Sequence, residues 1–376
     1  MPEPQTSQTL PEGTVLDGNY RLTRLLGQGA MGTVYEGHHM GAGKRVAVKV
    51  MHRELLAYPE LLARFKREAK VTSELSHPNV VSVFGIGMTL AEQPYLVMEF
   101  LEGEDLQTRL ERTGALPLPT VVQIVNQVAA ALTVAHAAGV VHRDLKTDNV
   151  FLVREPDDAV HAKVVDFGLS KLLKTSATKL TVARAVFGTP EFMAPEQAEG
   201  RQDAIDHRSD QWSLACLAWF AATACLPFSG LDVQGTLNQV ISAVPTPVAP
   251  GAPRLPPEVD KVLRKALSRH RADRFPTIKA FARAFEAAAA GPDAPPPRAP
   301  TPARATPAQL AQRPAADARP AGRESPRAGR RPRTALRVTL ALVVGLAALG
   351  GLGWMLRDQP PIAGWVQRAR QLVPGR

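Results

Sequence analysis

From residue 20 to about residue 50 apolar and polar positions alternate around glycines, as YRLTRLLGQGAMGTVYEG and then KRVAVKV, which predicts a series of strands. The period changes over 60–75, where Leu61, Phe65, Ala69 and Thr72 recur at helical spacing, and short strand-like apolar runs follow at 80–85 and 95–100. Beyond residue 120 the apolar runs lengthen and become helical: VVQIVNQVAAALTVAHAAG, SDQWSLACLAWFAATA, KVLRKAL and IKAFARAFEAAAA. The pattern predicts an α+β architecture, with a β-rich lobe over 15–98 and an α-helical lobe over 101–290. Residues 1–14 are polar and Pro-bearing and are expected to be disordered. They have neither the basic start nor the apolar run of a secretory signal, so this end is expected in the cytoplasm.

A different pattern begins after residue 290. Residues 291–337 hold eleven Pro and ten Arg with almost no large apolar side chain, and too little burial is on offer to offset their ordering entropy, which predicts a disordered, partly extended linker. Residues 338–356 (VTLALVVGLAALGGLGWML) then run without a charge, about 28 Å as a helix against a hydrocarbon core of ~30 Å, which predicts a transmembrane helix. Trp354 suits its interfacial end. Seven Arg lie within about twenty residues before the span and four after it, an excess that places the N-terminal side in the cytoplasm of a single-pass membrane protein. The tail at 357–376 is expected outside and is too short to bury a core, so no external sensor domain is expected. Small residues four apart, Ala341 with Gly345 and Ala347 with Gly351, make a homodimer through this helix conceivable, although ordinary composition explains them equally well.

Composition narrows the function classes. With 376 residues, 45% hydrophobic and 21% charged, the chain is long enough for a large core and is neither a disordered nor a fibrous protein. Two cysteines, Cys216 and Cys225, are too few for a zinc cluster or a disulfide framework. The net charge of +10 suggests nucleic acid until it is located: 291–337 carries +7 and 357–376 carries +3, which leaves the first 290 residues formally neutral. A basic groove over the whole folded part is therefore not expected, although local patches stay open; no nucleic-acid partner is expected, and the Arg cluster at 323–337 reads as a contact to anionic lipid.

Chemistry concentrates in a few short motifs. In Gly27-Gln28-Gly29-Ala30-Met31-Gly32-Thr33-Val34 the glycines precede a strand pattern and not the helix a dinucleotide fold needs, so they form a hairpin able to lie close over phosphates. Val46-Ala47-Val48-Lys49 is an apolar strand ending in a cation. Glu68 shares a helix face with Leu61, Phe65 and Thr72, points inward, and needs a positive partner; Lys49 is the one available. The polar run His142-Arg143-Asp144-Leu145-Lys146-Thr147-Asp148-Asn149, followed by Asp166-Phe167-Gly168, has no packing rationale. Gly188-Thr189-Pro190, Ala194-Pro195-Glu196, Asp210 before Trp212, and Arg274 complete the set.

In these motifs, over about residues 15–290, the chain resembles the eukaryotic-type (Hanks-type) protein kinases, and in particular bacterial membrane-anchored serine/threonine kinases. The resemblance implies a two-lobed protein kinase fold and ATP-dependent transfer of the γ-phosphoryl group to Ser/Thr hydroxyls of protein substrates in bacterial signal transduction. It implies that Leu26, Gly27, Gly29, Gly32, Val34 and Ala47 cover the nucleotide, that backbone groups of Glu99 and Leu101 hold adenine beside Met98, and that Lys49, held by Glu68, grips the α- and β-phosphates. Asn149 and Asp166 would bind Mg²⁺, with Mn²⁺ as the alternative; Asp144 would accept the substrate proton and Lys146 would touch the γ-phosphate. Glu196 is expected to pair with Arg274. Arg143 marks a kinase whose activation segment is ordered by phosphate, with Thr181 the expected autophosphorylation site; the second Thr often found in such kinases is replaced by Ala183. The competing reading, a nucleotide-binding scaffold without transfer, normally goes with loss of the Lys or one of the two Asp, and all three are present.

Overall fold

The computed structural model describes residues 9–29, 32–53, 69, 72–156, 159–167, 189–248 and 251–291. Most of the helix expected at 60–75, including Glu68, lies outside these residues, as do Gly168, Thr181, the linker and the expected membrane span.

The N-terminal lobe is an antiparallel sheet in the order β1-β2-β3-β4-β6-β5. Its strands are β1 (Val15–Leu16), β2 (Tyr20–Gly29), β3 (Gly32–His39), β4 (Lys44–Met51), β5 (Val83–Met88) and β6 (Pro94–Glu99). Alternation along β4 and β6 buries Val46, Val48, Val50, Tyr95 and Val97 with Leu22 on one face, while Ala47, Met51, Leu96 and Met98 gather on the other. The N-terminal boundary differs from the expectation of disorder through residue 14. Gly13 N–H bonds Leu22 O at 2.8 Å, Leu22 N–H bonds Thr14 O at 2.8 Å, and Leu10 N–H reaches the Tyr35 hydroxyl at 2.8 Å. Paired backbone and a seat for Leu10 beside the first of these clusters outweigh the polar composition here.

The run expected as a strand at 80–85 is split. Val80 sits opposite Val164 of the other lobe, with Val81 N–H bonding Val164 O (3.0 Å) and Val164 N–H bonding Asn79 O (2.8 Å), and β5 begins only at Val83. Around this crossing Gln127 ties the lobes: its side-chain carbonyl accepts from Ala162 N–H (2.6 Å) and from the Asn79 amide (3.1 Å), and its own amide donates to Val160 O (2.7 Å).

The C-terminal lobe opens with a small sheet in the order β7-β8-β9 (Gly103–Asp105, Val150–Val153, His161–Val164) and with α1 (Leu106–Thr113). Then come α2 (Leu118–Ala137), α3 (Pro195–Ala198), α4 (His207–Thr223), α5 (Val233–Ser242), α6 (Pro257–Ala266) and α7 (Ile278–Ala290). Asp105, Asp206, Asp232 and Thr277 start helices by accepting from backbone N–H groups two or three residues on. α4 is almost wholly buried, with polar buried groups in its first turns and mainly apolar ones beyond; Trp212 and Trp219 are at most 1% exposed. Each such side chain contributes roughly 2–3 kcal/mol of burial. α2 is the one described helix long and apolar enough to cross a membrane, but Val121, Ile124, Val125, Val128 and Leu132 are buried in this lobe against α4 and α7.

Candidate active site

The two lobes bring the motif residues together along a short chain of contacts. Above it lies the β2–β3 hairpin, in which Gly27 pairs with Val34 and Gly29 with Gly32. A Cβ on Gly27 would meet nothing within 4 Å and one on Gly29 only Gly32 O at 3.9 Å, so both backbones are open to a ligand. Gly32 differs: a Cβ there would lie 2.3 Å from Val50 O, so this glycine is required by the approach of β3 to β4. Leu26, expected to cover the nucleotide, stands 40% exposed in the same hairpin.

Lys49 sits opposite Val34 in the β3–β4 register, and its Nζ bonds Asp166 Oδ2 at 2.7 Å although 117 residues separate the two. Burial pushes the Asp166 carboxyl up, but the Lys49 ammonium beside it, with help from His142 and Lys146, holds it below the usual range. Asp166 is therefore ionised at neutral pH. The expected partner Glu68 lies outside the described residues.

From Asp166 the contacts continue to the loop after α2. Val165 N–H bonds Asn149 O (3.0 Å), and the Asn149 amide donates to Asp144 O (2.7 Å), which points the Asn149 carbonyl oxygen away from that bond. Arg143 has φ +66° and Asp166 φ +60°, left-handed conformations that cost roughly 1–2 kcal/mol each in a non-glycine residue and persist only where neighbours enforce them. At Arg143 the enforcing group is Asp210 of α4, whose two oxygens accept Arg143 N–H (2.8 Å) and His142 N–H (2.9 Å). Burial raises the Asp210 pKa, and the hydrogen bond and charge of His136, at 2.7 Å, outweigh it and bring the net value down. His142 in turn reaches Val165 O at 3.0 Å and packs with its ring tilted against Phe167, centroids 4.9 Å apart. Buried polar groups here restrain one another, and the loop is fixed in a shape its own dihedrals resist.

Lys146 Nζ lies 3.4 Å from Thr189 Oγ1 and 3.5 Å from Asp148, on the same side as Asp144. Behind the hairpin, Ala47 pairs with Met98 across β4 and β6, both under 10% exposed, and Val34, Leu101 and Val165 pack beside them. These side chains form one apolar cluster shared by both lobes and bordered by the connector at residues 99–101. Glu99 N–H is already bonded to Ser82 O (2.9 Å), which leaves its carbonyl as the edge acceptor. The Glu99 side chain is held by Lys163 (2.7 Å) and Ser82 N–H (2.7 Å).

Asp166 and Asn149 offer a carboxylate and an amide carbonyl oxygen, hard donors that suit a divalent cation taking its other ligands from phosphate and water. Among the described residues no group of three or more His, Cys, Asp and Glu could hold a metal by itself. Sequence reasoning left Asp210 without a role and passed over His136, Gln127 and Lys163. Each acts through a partner far away in the chain, and no local spacing announces that. The expected Glu196–Arg274 pair is present, at 2.9 and 3.0 Å.

The protein kinase domain model matches residues 20–285. The chain is 42% identical over 275 residues to the serine/threonine-protein kinase Pkn1 of Myxococcus xanthus, covering 73% of this chain and 38% of that protein. It spans between 29% and 64% of the length of the curated relatives compared. The solved Mycobacterium tuberculosis PknI kinase domain is 30% identical with a TM-score of 0.57, covering 74% of this chain and 99% of that one. Rad53 in complex with AMP-PNP is 26% identical with a TM-score of 0.57, covering 70% of this chain and 64% of that one. With its motifs assembled between two lobes of this form, the chain belongs to the protein kinase family.

Proposed function

We propose that this chain is a bacterial serine/threonine protein kinase that transfers the γ-phosphoryl group of ATP to protein hydroxyls. The observation that carries the reading is the Lys49–Asp166–Asn149–Asp144 series, drawn from three distant segments into one cleft. Phosphoryl transfer needs positioning and charge neutralisation, and these groups supply both. Open backbone at Gly27 and Gly29 receives the phosphates, Lys49 neutralises the α- and β-phosphates, and the apolar cluster at Ala47, Met98 and Leu101 offers adenine a surface, with Glu99 O and Leu101 N–H at its edge. Asp166 and Asn149 would hold Mg²⁺, which when bound offsets the developing charge on the phosphate oxygens. Asp144 orients the substrate hydroxyl and takes its proton, and Lys146 steadies the γ-phosphate. Lys146 beside Thr189 favours a Ser/Thr substrate.

Three extensions rest on the sequence. Residues 338–356 anchor the chain in the cell membrane with the kinase domain on the cytoplasmic side. Thr181, phosphorylated and paired with Arg143, orders the activation segment. Two tethered copies, meeting at raised effective concentration on flexible linkers, phosphorylate each other in trans.

The test is Asp144→Asn, assayed for transfer of ³²P to a protein substrate and separately for ATP binding. Loss of transfer by about 10²-fold or more with binding retained supports the reading. An unchanged signal refutes it.

A further inference from the structure

Gln197, in α3, is not among the residues named above as nucleotide or metal contacts, yet it reaches the backbone carbonyl immediately before the proposed catalytic base. Its side-chain amide donates to Arg143 O at 2.8 Å, and its side-chain carbonyl accepts from Ala194 N–H at 3.1 Å. A carbonyl on one side and an N–H on the other fix which end of the amide is which. Arg143 O belongs to the peptide unit that joins Arg143 to Asp144, and that unit follows a residue at φ +66°.

Asp144 is thus held on both flanks. The peptide before it is gripped by Gln197 at Arg143 O and, more loosely, by His142 Nδ1 at Asp144 N–H, 3.3 Å away. The peptide after it is gripped by Asn149 at Asp144 O. One residue further back, Asp210 holds Arg143 N–H. The Gln197 contact differs from the others because of where its other end goes. Ala194 closes the segment that starts at Thr189, and Thr189 faces Lys146 at 3.4 Å. Ser213 Oγ also secures this segment, through Phe192 O at 2.8 Å.

We propose that Gln197 is a positioning residue for phosphoryl transfer, coupling the substrate-side segment 189–194 to the peptide that aims Asp144. When that segment is in place, Gln197 is held by Ala194 and keeps the Arg143–Asp144 peptide in its left-handed turn; when the segment is displaced, the peptide loses one of its restraints and the carboxylate loses its aim. Catalytic competence at Asp144 then depends on the state of the segment. The proposal rests on the kinase reading above, and the experiment separates the two.

Wild type, Asp144→Asn, Gln197→Ala and Gln197→Glu are compared as full-length protein for kcat and KM on a peptide substrate, KM for ATP, melting temperature, and the pH dependence of kcat. If wild type shows no transfer, the kinase reading fails and Gln197 is not the cause. With wild type active, Gln197→Ala should lower kcat by about tenfold, as expected for one lost hydrogen bond in a polar network, with KM for ATP within about twofold. Gln197→Glu supplies the second arm. Its ionised side chain accepts but cannot donate to Arg143 O, whereas its protonated form can, so its kcat relative to wild type should rise as pH falls, while Gln197→Ala stays in constant ratio. Wild-type kcat in Gln197→Ala overturns the proposal. So does a loss equal in both variants at every pH that follows melting temperature, because that is the signature of a structural role alone.

Discussion

Glu196 and Arg274 meet as a two-pronged ion pair, at 2.9 and 3.0 Å, with side chains 1% and 0% exposed, and Ser209 Oγ adds a 2.6 Å bond to the carboxylate. Arg274 also donates to Ser268 O, Arg208 O and Arg269 O. The pair therefore joins α3, α4 and the turn before α7, and removal of either partner strands a buried charge. Glu196→Gln should cost about 3–5 kcal/mol in urea unfolding at neutral pH.

The same pair sets a pH dependence. Burial raises the Glu196 pKa and the hydrogen bonds and charge of Arg274 lower it by more, so the folded value lies below the ordinary 4.5. An acid depressed on folding lends stability that is fully present above its unfolded pKa and is lost as pH falls through the folded value. Wild type should lose stability below pH ~4.5, and the gap to Glu196→Gln should narrow there. A gap that stays constant from pH 7 to pH 3 would contradict the assignment.

The three hairpin glycines should separate stability from binding. Gly32→Ala forces a Cβ to 2.3 Å from Val50 O and should destabilise by about 1–3 kcal/mol. Gly27→Ala and Gly29→Ala have room in the structure, so unfolding should shift by less than about 0.5 kcal/mol while KM for ATP rises. Thermal melts beside ATP kinetics for the three variants would show the split.

Ala224 closes α4 at φ 54°, ψ 17°, with its side chain exposed, where glycine is the usual residue. Ala224→Gly removes a left-handed Cβ clash without loss of packing and should raise stability by about 0.5–1 kcal/mol with activity unchanged. A lower melting temperature would show that the clash is already relieved.

Much of this architecture was legible in the sequence because its signals are local. Period-two runs gave the β-rich lobe, the long apolar runs gave α2, α4, α6 and α7, and short motifs marked Lys49, Asp144, Asn149 and Asp166. What escaped was non-local. Val80 and Val81 read as part of a strand, but Val81 N–H bonds Val164 O in the other lobe and Val164 N–H bonds Asn79 O, so the pair bridges the lobes instead of joining the sheet. The ordering of residues 9–14 depends on pairing with β2, which no composition reveals. Asp210 stands out in the sequence without a role, and His136 and Gln197 look like ordinary polar residues on helices; only folding brings Asp210 and Gln197 to the backbone beside Asp144 and His136 to the Asp210 carboxylate.

The account turns on Asp166 and Asn149 sharing one metal with a bound nucleotide, and Mn²⁺ binding read by electron paramagnetic resonance in the presence of ATP tests this most directly. The account predicts that Asp166→Asn and Asn149→Ala each weaken Mn²⁺ binding in the ternary complex by at least about tenfold, with ATP itself still bound. Wild-type Mn²⁺ affinity in both variants would contradict it.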